Sequence, residues 1–166
     1  LELETALDYA LHICSAMLHA NKIYPGFIHG DIKPANCLIT DDKQIKLSDF
    51  GQSRISQSVE TKNKTLPGGT YYYMAPEMFD PANSNFDFID IYAFGVTLFE
   101  MLTGVRPFKG STRREIAEEH KNQSPPVNIL VENGVPEPLI KLIYSCLEKN
   151  PSERSQNFAV IEKELK

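Results

Sequence analysis

Apolar residues recur at three- and four-residue steps near the start of the chain: Leu7, Ala10, Leu11, Cys14, Met17 and Leu18. That spacing predicts a helix over about residues 3–21, ended by the turn signal Tyr24-Pro25-Gly26. Residues 27–34 carry no helical period and are broken by Gly30 and Pro34. Two short runs, Cys37-Leu38-Ile39 and Ile45-Lys46-Leu47, flank the polar Asp41-Asp42-Lys43 and predict a β-hairpin. Residues 49–76 are polar and turn-rich, and a loop that long inside a compact domain usually carries function or moves. Helical spacing then returns. Residues 90–102 are apolar on nearly every side, which predicts a central buried helix. Residues 112–121 are charged and read as a superficial helix, with Arg113-Arg114 on its solvated face. A helix over 136–147 opens on Pro136 and spaces Leu139, Leu142, Ile143 and Cys146 along one side. Phe158, Ile161 and Leu165 mark a last helix. The predicted class is mainly α with a small β-hairpin, in one domain over residues 1–166.

Composition narrows the function. A chain of 166 residues with 42% apolar and 23% charged residues is that of an ordinary globular protein. Seventeen Lys and Arg against 22 Asp and Glu give a net charge of −5 with no basic face, so a nucleic-acid partner is not expected. Cys14, Cys37 and Cys146 are odd in number, far apart and without a CxxC, which suggests neither a zinc site nor a disulfide framework. They are expected as buried, reduced thiols in a cytoplasmic protein. No apolar stretch is long enough to span a membrane: residues 89–102 contain Asp90 and Glu100. The first residue is Leu rather than Met and already belongs to a helical pattern, so the chain reads as a piece of a longer one.

The chemistry-bearing residues cluster. His29-Gly30-Asp31-Ile32-Lys33-Pro34-Ala35-Asn36 places an acid, a base and an amide within six positions of one loop. Asp49-Phe50-Gly51 follows the predicted hairpin, and Ala75-Pro76-Glu77 follows the long polar loop. In this order the three resemble the signature set of the eukaryotic-type protein kinases: HxDxKxxN, then DFG, then APE. Asp90 to Gly95 resembles the start of that family's buried helix, and Cys146 to Pro151 with Arg154 resembles its last conserved-type segment. The resemblance covers nearly the whole chain, as the C-terminal lobe of a kinase, with a catalytic loop over 29–36 and an activation segment over 49–77.

The resemblance implies an ATP-dependent serine/threonine protein kinase in the parent chain, with ATP, Mg2+ and a protein substrate as partners. Asp31 is then the catalytic base, and Lys33 and Asn36 complete the catalytic set. Asn36 and Asp49 are the Mg2+ ligands, an oxygen pair that suits a hard cation. Leu38, Lys33, Asn36 and Asp49 contact the nucleotide, and Thr70 positions the substrate. His29, Phe50 and Gly51 are architectural, as are Asp90, which caps its helix or holds the catalytic loop, and the pair Glu77 and Arg154. Gly69-Thr70 before Tyr71-Tyr72-Tyr73-Met74 is similar to the tyrosine-kinase-like group of serine/threonine kinases.

Two departures stand out. Gly30 replaces the Arg that binds an activation-segment phosphate in many kinases, so the chain is expected to depend less on such a phosphate. Ser56, Ser58, Thr61 and Thr65 offer phosphorylation sites in this segment, with solvated loop residues as the competing and favoured reading. The nine glycines contain no GxG, and no strand lysine is evident, so an N-terminal lobe of the same protein is a required partner and the chain alone is expected to be inactive. Two other readings stay open: a pseudokinase or scaffold module using this fold for partner binding, and a helical adaptor of unrelated fold.

Overall fold

The computed structural model describes residues 1–55, 68–80, 82 and 86–166, with the backbone alone at 54, 55 and 68–70. Among the described residues, six helices carry the fold: α1 (Leu3–Ile23), α2 (Ile89–Thr103), α3 (Arg113–Asn122), α4 (Val127–Glu132), α5 (Glu137–Cys146) and α6 (Phe158–Leu165). Four short strands accompany them: β1 (Phe27–Ile28), β2 (Cys37–Ile39), β3 (Ile45–Leu47) and β4 (Arg54–Ile55). The class is the mainly α fold with a small hairpin that the sequence pattern predicts.

Helix α2 is the centre. Twelve of its residues are buried, from Ile89 to Leu102, because its sequence offers no polar face for water. It packs on α5, α4 and α1, and α1 packs in turn on α6 and β3. Gly95 lets α5 approach: a Cβ there would stand 2.8 Å from Cys146 Cβ and 3.1 Å from the Leu147 side chain. Helix α2 stops at Gly104, whose φ of 74° ends it in the left-handed region. The face of α1 is rotated from the expected one. Its buried line is Ala6, Tyr9, Ala10, Ile13, Cys14 and Met17, with Leu7, Leu11 and Leu18 half-buried at its border.

Strands β2 and β3 form the expected hairpin, pairing Cys37 with Leu47 and Ile39 with Ile45. Three elements lack a signal in the sequence. Strands β1 and β4 pair antiparallel with only two residues each, Phe27 against Ile55 and Ile28 against Arg54. Helix α4 is six residues long. The stretch after Asp49 opens with a 3-10 turn at Phe50–Gln52 and ends with others at Gly68–Tyr73 and Pro76–Phe79. Ser56, Ser58, Thr61 and Thr65 lie outside the described residues. The three cysteines are free thiols; Cys14 and Cys146 are buried and Cys37 is half-buried. Burial pushes the Cys37 thiol up to about 11 and the Cys146 thiol up to about 12. Among the described residues no helix is long and apolar enough to cross a membrane.

Helix α3 is less superficial than its charges suggest. Thr112 and Glu115 cap it reciprocally, and Ile116 and His120, four residues apart, turn inward. His120 is fully buried between the rings of Phe79, Tyr92 and Phe108. Its Nδ1 lies 2.8 Å from the Tyr92 hydroxyl, to which Lys149 Nζ donates at 3.5 Å. Burial and the nearby Lys149 charge push the imidazole down to about 3. The unfolded chain therefore binds this proton first as pH falls, and the folded state loses stability from about pH 6.5 downward. The expected slope from this group is ~1.4 kcal/mol per pH unit. His120→Gln should remove that component from urea titrations run between pH 6.5 and 4. Identical slopes in the two proteins would contradict it.

Candidate active site

The loop between β1 and β2 is built around one carboxylate from the central helix. Asp90, buried in the first turn of α2, accepts from His29 N at 2.6 Å and from Gly30 N at 2.8 Å. Of the two roles open to Asp90 in the sequence, holding the loop is the one seen: the N-cap of α2 is Phe88, with no side-chain cap. Ser53 Oγ adds a bond to the His29 carbonyl at 3.2 Å, tying the stretch after Asp49 to the same loop. Gly30 is needed where these two segments meet. Its φ is +80°, and a Cβ would lie 3.0 Å from the Gln52 carbonyl oxygen. Gly30→Ala should cost ~1–2 kcal/mol through the left-handed backbone alone. A denaturant midpoint equal to that of the parent sequence would contradict this.

Asp31 is buried, and its two oxygens differ. Oδ2 accepts from Lys33 Nζ at 2.6 Å and from Asn36 Nδ2 at 2.9 Å. Asn36 Nδ2 also donates to the Asp31 carbonyl at 2.7 Å, so this side chain closes the loop on itself. Oδ1 is buried and has no hydrogen-bond partner among the described residues. Asp31 also lines a cavity of about 10 Å³ with Gly30, Ile32, Tyr73, Met74 and Asp90, among others. That is room for roughly one water-sized group.

Asn36 and Asp49 flank the hairpin. Asn36 ends a 3-10 turn, and its carbonyl accepts from Ser48 N at 2.9 Å and from Ser48 Oγ at 3.1 Å. Asp49, the next residue, has a φ of 60° and is exposed, with Oδ1 accepting from Gly51 N at 3.2 Å. No hydrogen bond joins Asn36 to Asp49. The donor set still fits a hard divalent cation. The Asn36 amide nitrogen is committed to Asp31, which leaves its oxygen as the group it can offer, and one Asp49 oxygen has no partner among the described residues. No cluster of three or more His, Cys, Asp or Glu that could hold a metal occurs among the described residues.

Other expected residues fall into place unevenly. His29 is fully buried and its ring lies 5.1 Å from that of Phe50. Phe50 is 56% exposed, with its ring against those of His29 and Phe27. Leu38 is 55% exposed beside Ile39, so it is no core-facing strand residue. The Thr70 side chain lies outside the described residues. Glu77 and Arg154 form a two-pronged ion pair, Nη1 to Oε1 and Nη2 to Oε2, both at 2.7 Å. Arg154 is 2% exposed and also donates to the carbonyls of Glu148, Phe88 and Lys149.

Residues 1–165 match the protein kinase domain family. The chain belongs to this family. The kinase chain is 38% identical over 170 residues to a probable serine/threonine-protein kinase of Clostridium acetobutylicum, covering 99% of this chain and 25% of that one. It is 37% identical over 172 residues to the serine/threonine/tyrosine-protein kinase HT1 of Arabidopsis thaliana, covering 98% of this chain and 41% of that one. It thus spans a quarter to two fifths of the length of these curated relatives. Among solved structures, the Rad53 kinase domain with SCD2 in complex with AMPPNP shares the fold, with a TM-score of 0.75. That match is 24% identical and covers 96% of this chain and 57% of the other.

Proposed function

We propose that this chain carries the catalytic loop of a serine/threonine protein kinase that transfers the γ-phosphoryl group of Mg-ATP to a protein hydroxyl, with Asp31 as base. One observation carries the reading. Two buried polar atoms of this loop have no hydrogen-bond partner among the described residues, His29 Nε2 and Asp31 Oδ1, and of these only Asp31 Oδ1 is a carboxylate oxygen. A buried acceptor left unsatisfied costs about 1–3 kcal/mol, and an incoming serine or threonine O–H is the donor it lacks. Lys33 and Asn36 fix the other oxygen and so orient the carboxylate toward that hydroxyl.

The step balances simply. The acceptor oxygen bonds to the γ-phosphorus, the bond to the β–γ bridging oxygen breaks, ADP leaves, and the hydroxyl proton passes to Asp31. Lys33, beside Asp31, supplies positive charge for the transferring group. Asn36 and Asp49 would hold Mg2+, which when bound screens the phosphate charge. Leu38, exposed on β2, offers an apolar contact for the nucleotide base. Glu77 and Arg154 anchor the end of the activation segment, and Thr70 sits in the segment that positions the substrate.

The 166-residue chain has no GxG and no match to the family's ATP-binding strand lysine, so we expect it alone to bind ATP weakly or undetectably. Micromolar affinity in a calorimetric titration would contradict this. The function itself is tested by transfer of labelled γ-phosphate from Mg-ATP to a serine- and threonine-containing peptide library by the full-length protein. Incorporation that requires Mg2+ and Asp31 supports the reading. No incorporation under conditions where the protein is folded favours a scaffold.

A further inference from the structure

Three consecutive tyrosines follow Thr70. Tyr72 donates its hydroxyl to the Gly110 carbonyl at 3.2 Å, and Tyr73 donates to Glu100 Oε2 at 2.6 Å. Tyr73 also lines the cavity that holds Asp31. Two cations lie over the other rings. The Arg106 guanidinium carbon is 3.5 Å from the Tyr72 ring centroid, and that of Arg113 is 5.0 Å from the Tyr71 centroid. Stacking occupies a guanidinium's flat face and leaves its edge N–H groups available for oxygen acceptors.

No carboxylate among the described residues pairs with either arginine. Neighbouring acids are engaged elsewhere. Glu115 Oε2 accepts from Ser111 N at 2.8 Å and Thr112 N at 3.2 Å, and Glu119 Oε2 from Lys109 N at 2.7 Å and Gly110 N at 2.9 Å. Arg113 opens α3, at the helix end where the backbone dipole is already positive and cations are unfavourable. Neither its place in the helix nor an ion pair explains the charge. Arg113 and Arg114 are both exposed, as the sequence reading expects, and Arg113 in addition lies over the Tyr71 ring.

We propose that Arg106 and Arg113 form a ledge that selects peptide substrates with aspartate or glutamate close to the phosphoacceptor. The inference rests on Asp31 being the catalytic carboxylate, because Tyr73, which lines the cavity at Asp31, is followed back along the chain by Tyr72 and Tyr71, over which the two arginines lie. Tyr71 and Tyr72 hold the guanidiniums in place, so the acidic side chain meets donors already oriented.

The test uses the full-length protein and serine-acceptor peptides carrying Glu, Gln, Lys or phosphoserine at each flanking position in turn. The expected wild-type result is a preference for Glu over Gln of about 10-fold in kcat/KM at one or two positions, carried mainly by KM. The double variant Arg106→Ala/Arg113→Ala should lose that ratio, Arg106→Glu/Arg113→Glu should favour Lys instead, and Arg114→Ala should keep the Glu ratio. A library phosphorylated with no acidic preference overturns the ledge, as does a preference that survives the double variant or selects phosphoserine but not Glu. Failure of the folded wild-type protein to phosphorylate any peptide overturns the catalytic reading, and the ledge with it.

Discussion

Asp31→Asn in the full-length protein should lower kcat by roughly 100- to 10,000-fold, the usual cost of removing a positioned proton acceptor. The substitution keeps size and shape. It also keeps the architecture of the loop, because His29 N and Gly30 N are held by Asp90 and the Asn36 amide still reaches the carbonyl of residue 31. What changes is the charge: the side chain can no longer take a proton, and Lys33 loses its ion-pair partner. KM for ATP should therefore move much less than kcat. Full activity in the variant would show that Asp31 is not the base.

The largest effect on stability is expected at Glu77 and Arg154. Arg154 uses its N–H groups on Glu77 and on three backbone carbonyls, inside the protein and 77 residues from its partner in sequence. Glu77→Ala leaves a buried guanidinium without its counter-charge, and Arg154→Met leaves a carboxylate and three carbonyls without donors. Each single change should cost about 3–5 kcal/mol. A double change to apolar residues of similar volume should cost less than the sum, because neither charge is left stranded. Equilibrium denaturation of the two single variants and the double variant measures this cycle. Additive losses, or single losses under about 1 kcal/mol, would place the pair among surface ion pairs of little consequence.

Legibility in the sequence followed how local each cause is. Helix α2 was readable because its apolar character runs right around it, and the β2–β3 hairpin because alternation and a polar turn sit within eleven positions. Strands β1 and β4 were not, since two-residue strands carry no period and their pairing spans the whole loop between them. The Thr112–Glu115 capping box was a visible signal that fixes the start of α3, and the spacing of Ile116 and His120 could have shown which side it buries. Nothing in the sequence says that His120 meets Tyr92 and Lys149, because that contact joins three separate elements. At the site, the residues could be named from their order along the chain, but their geometry could not. The two unequal oxygens of Asp31, the exposure of Phe50 and the stacking of Arg106 and Arg113 on tyrosines all depend on tertiary packing.

The central claim is that Asp31, Lys33, Asn36 and Asp49 serve one nucleotide and its acceptor. A crystal structure of the full-length protein with Mg2+ and a non-hydrolysable ATP analogue tests it most directly. The account predicts a metal bound through the Asn36 amide oxygen and the Asp49 carboxylate at about 2.1 Å. It also predicts the Lys33 ammonium turned to the terminal phosphate, with Asp31 Oδ1 open toward the acceptor position. A nucleotide bound without Asn36 or Asp49 on its metal, or with Asp31 remote from the terminal phosphate, would contradict it.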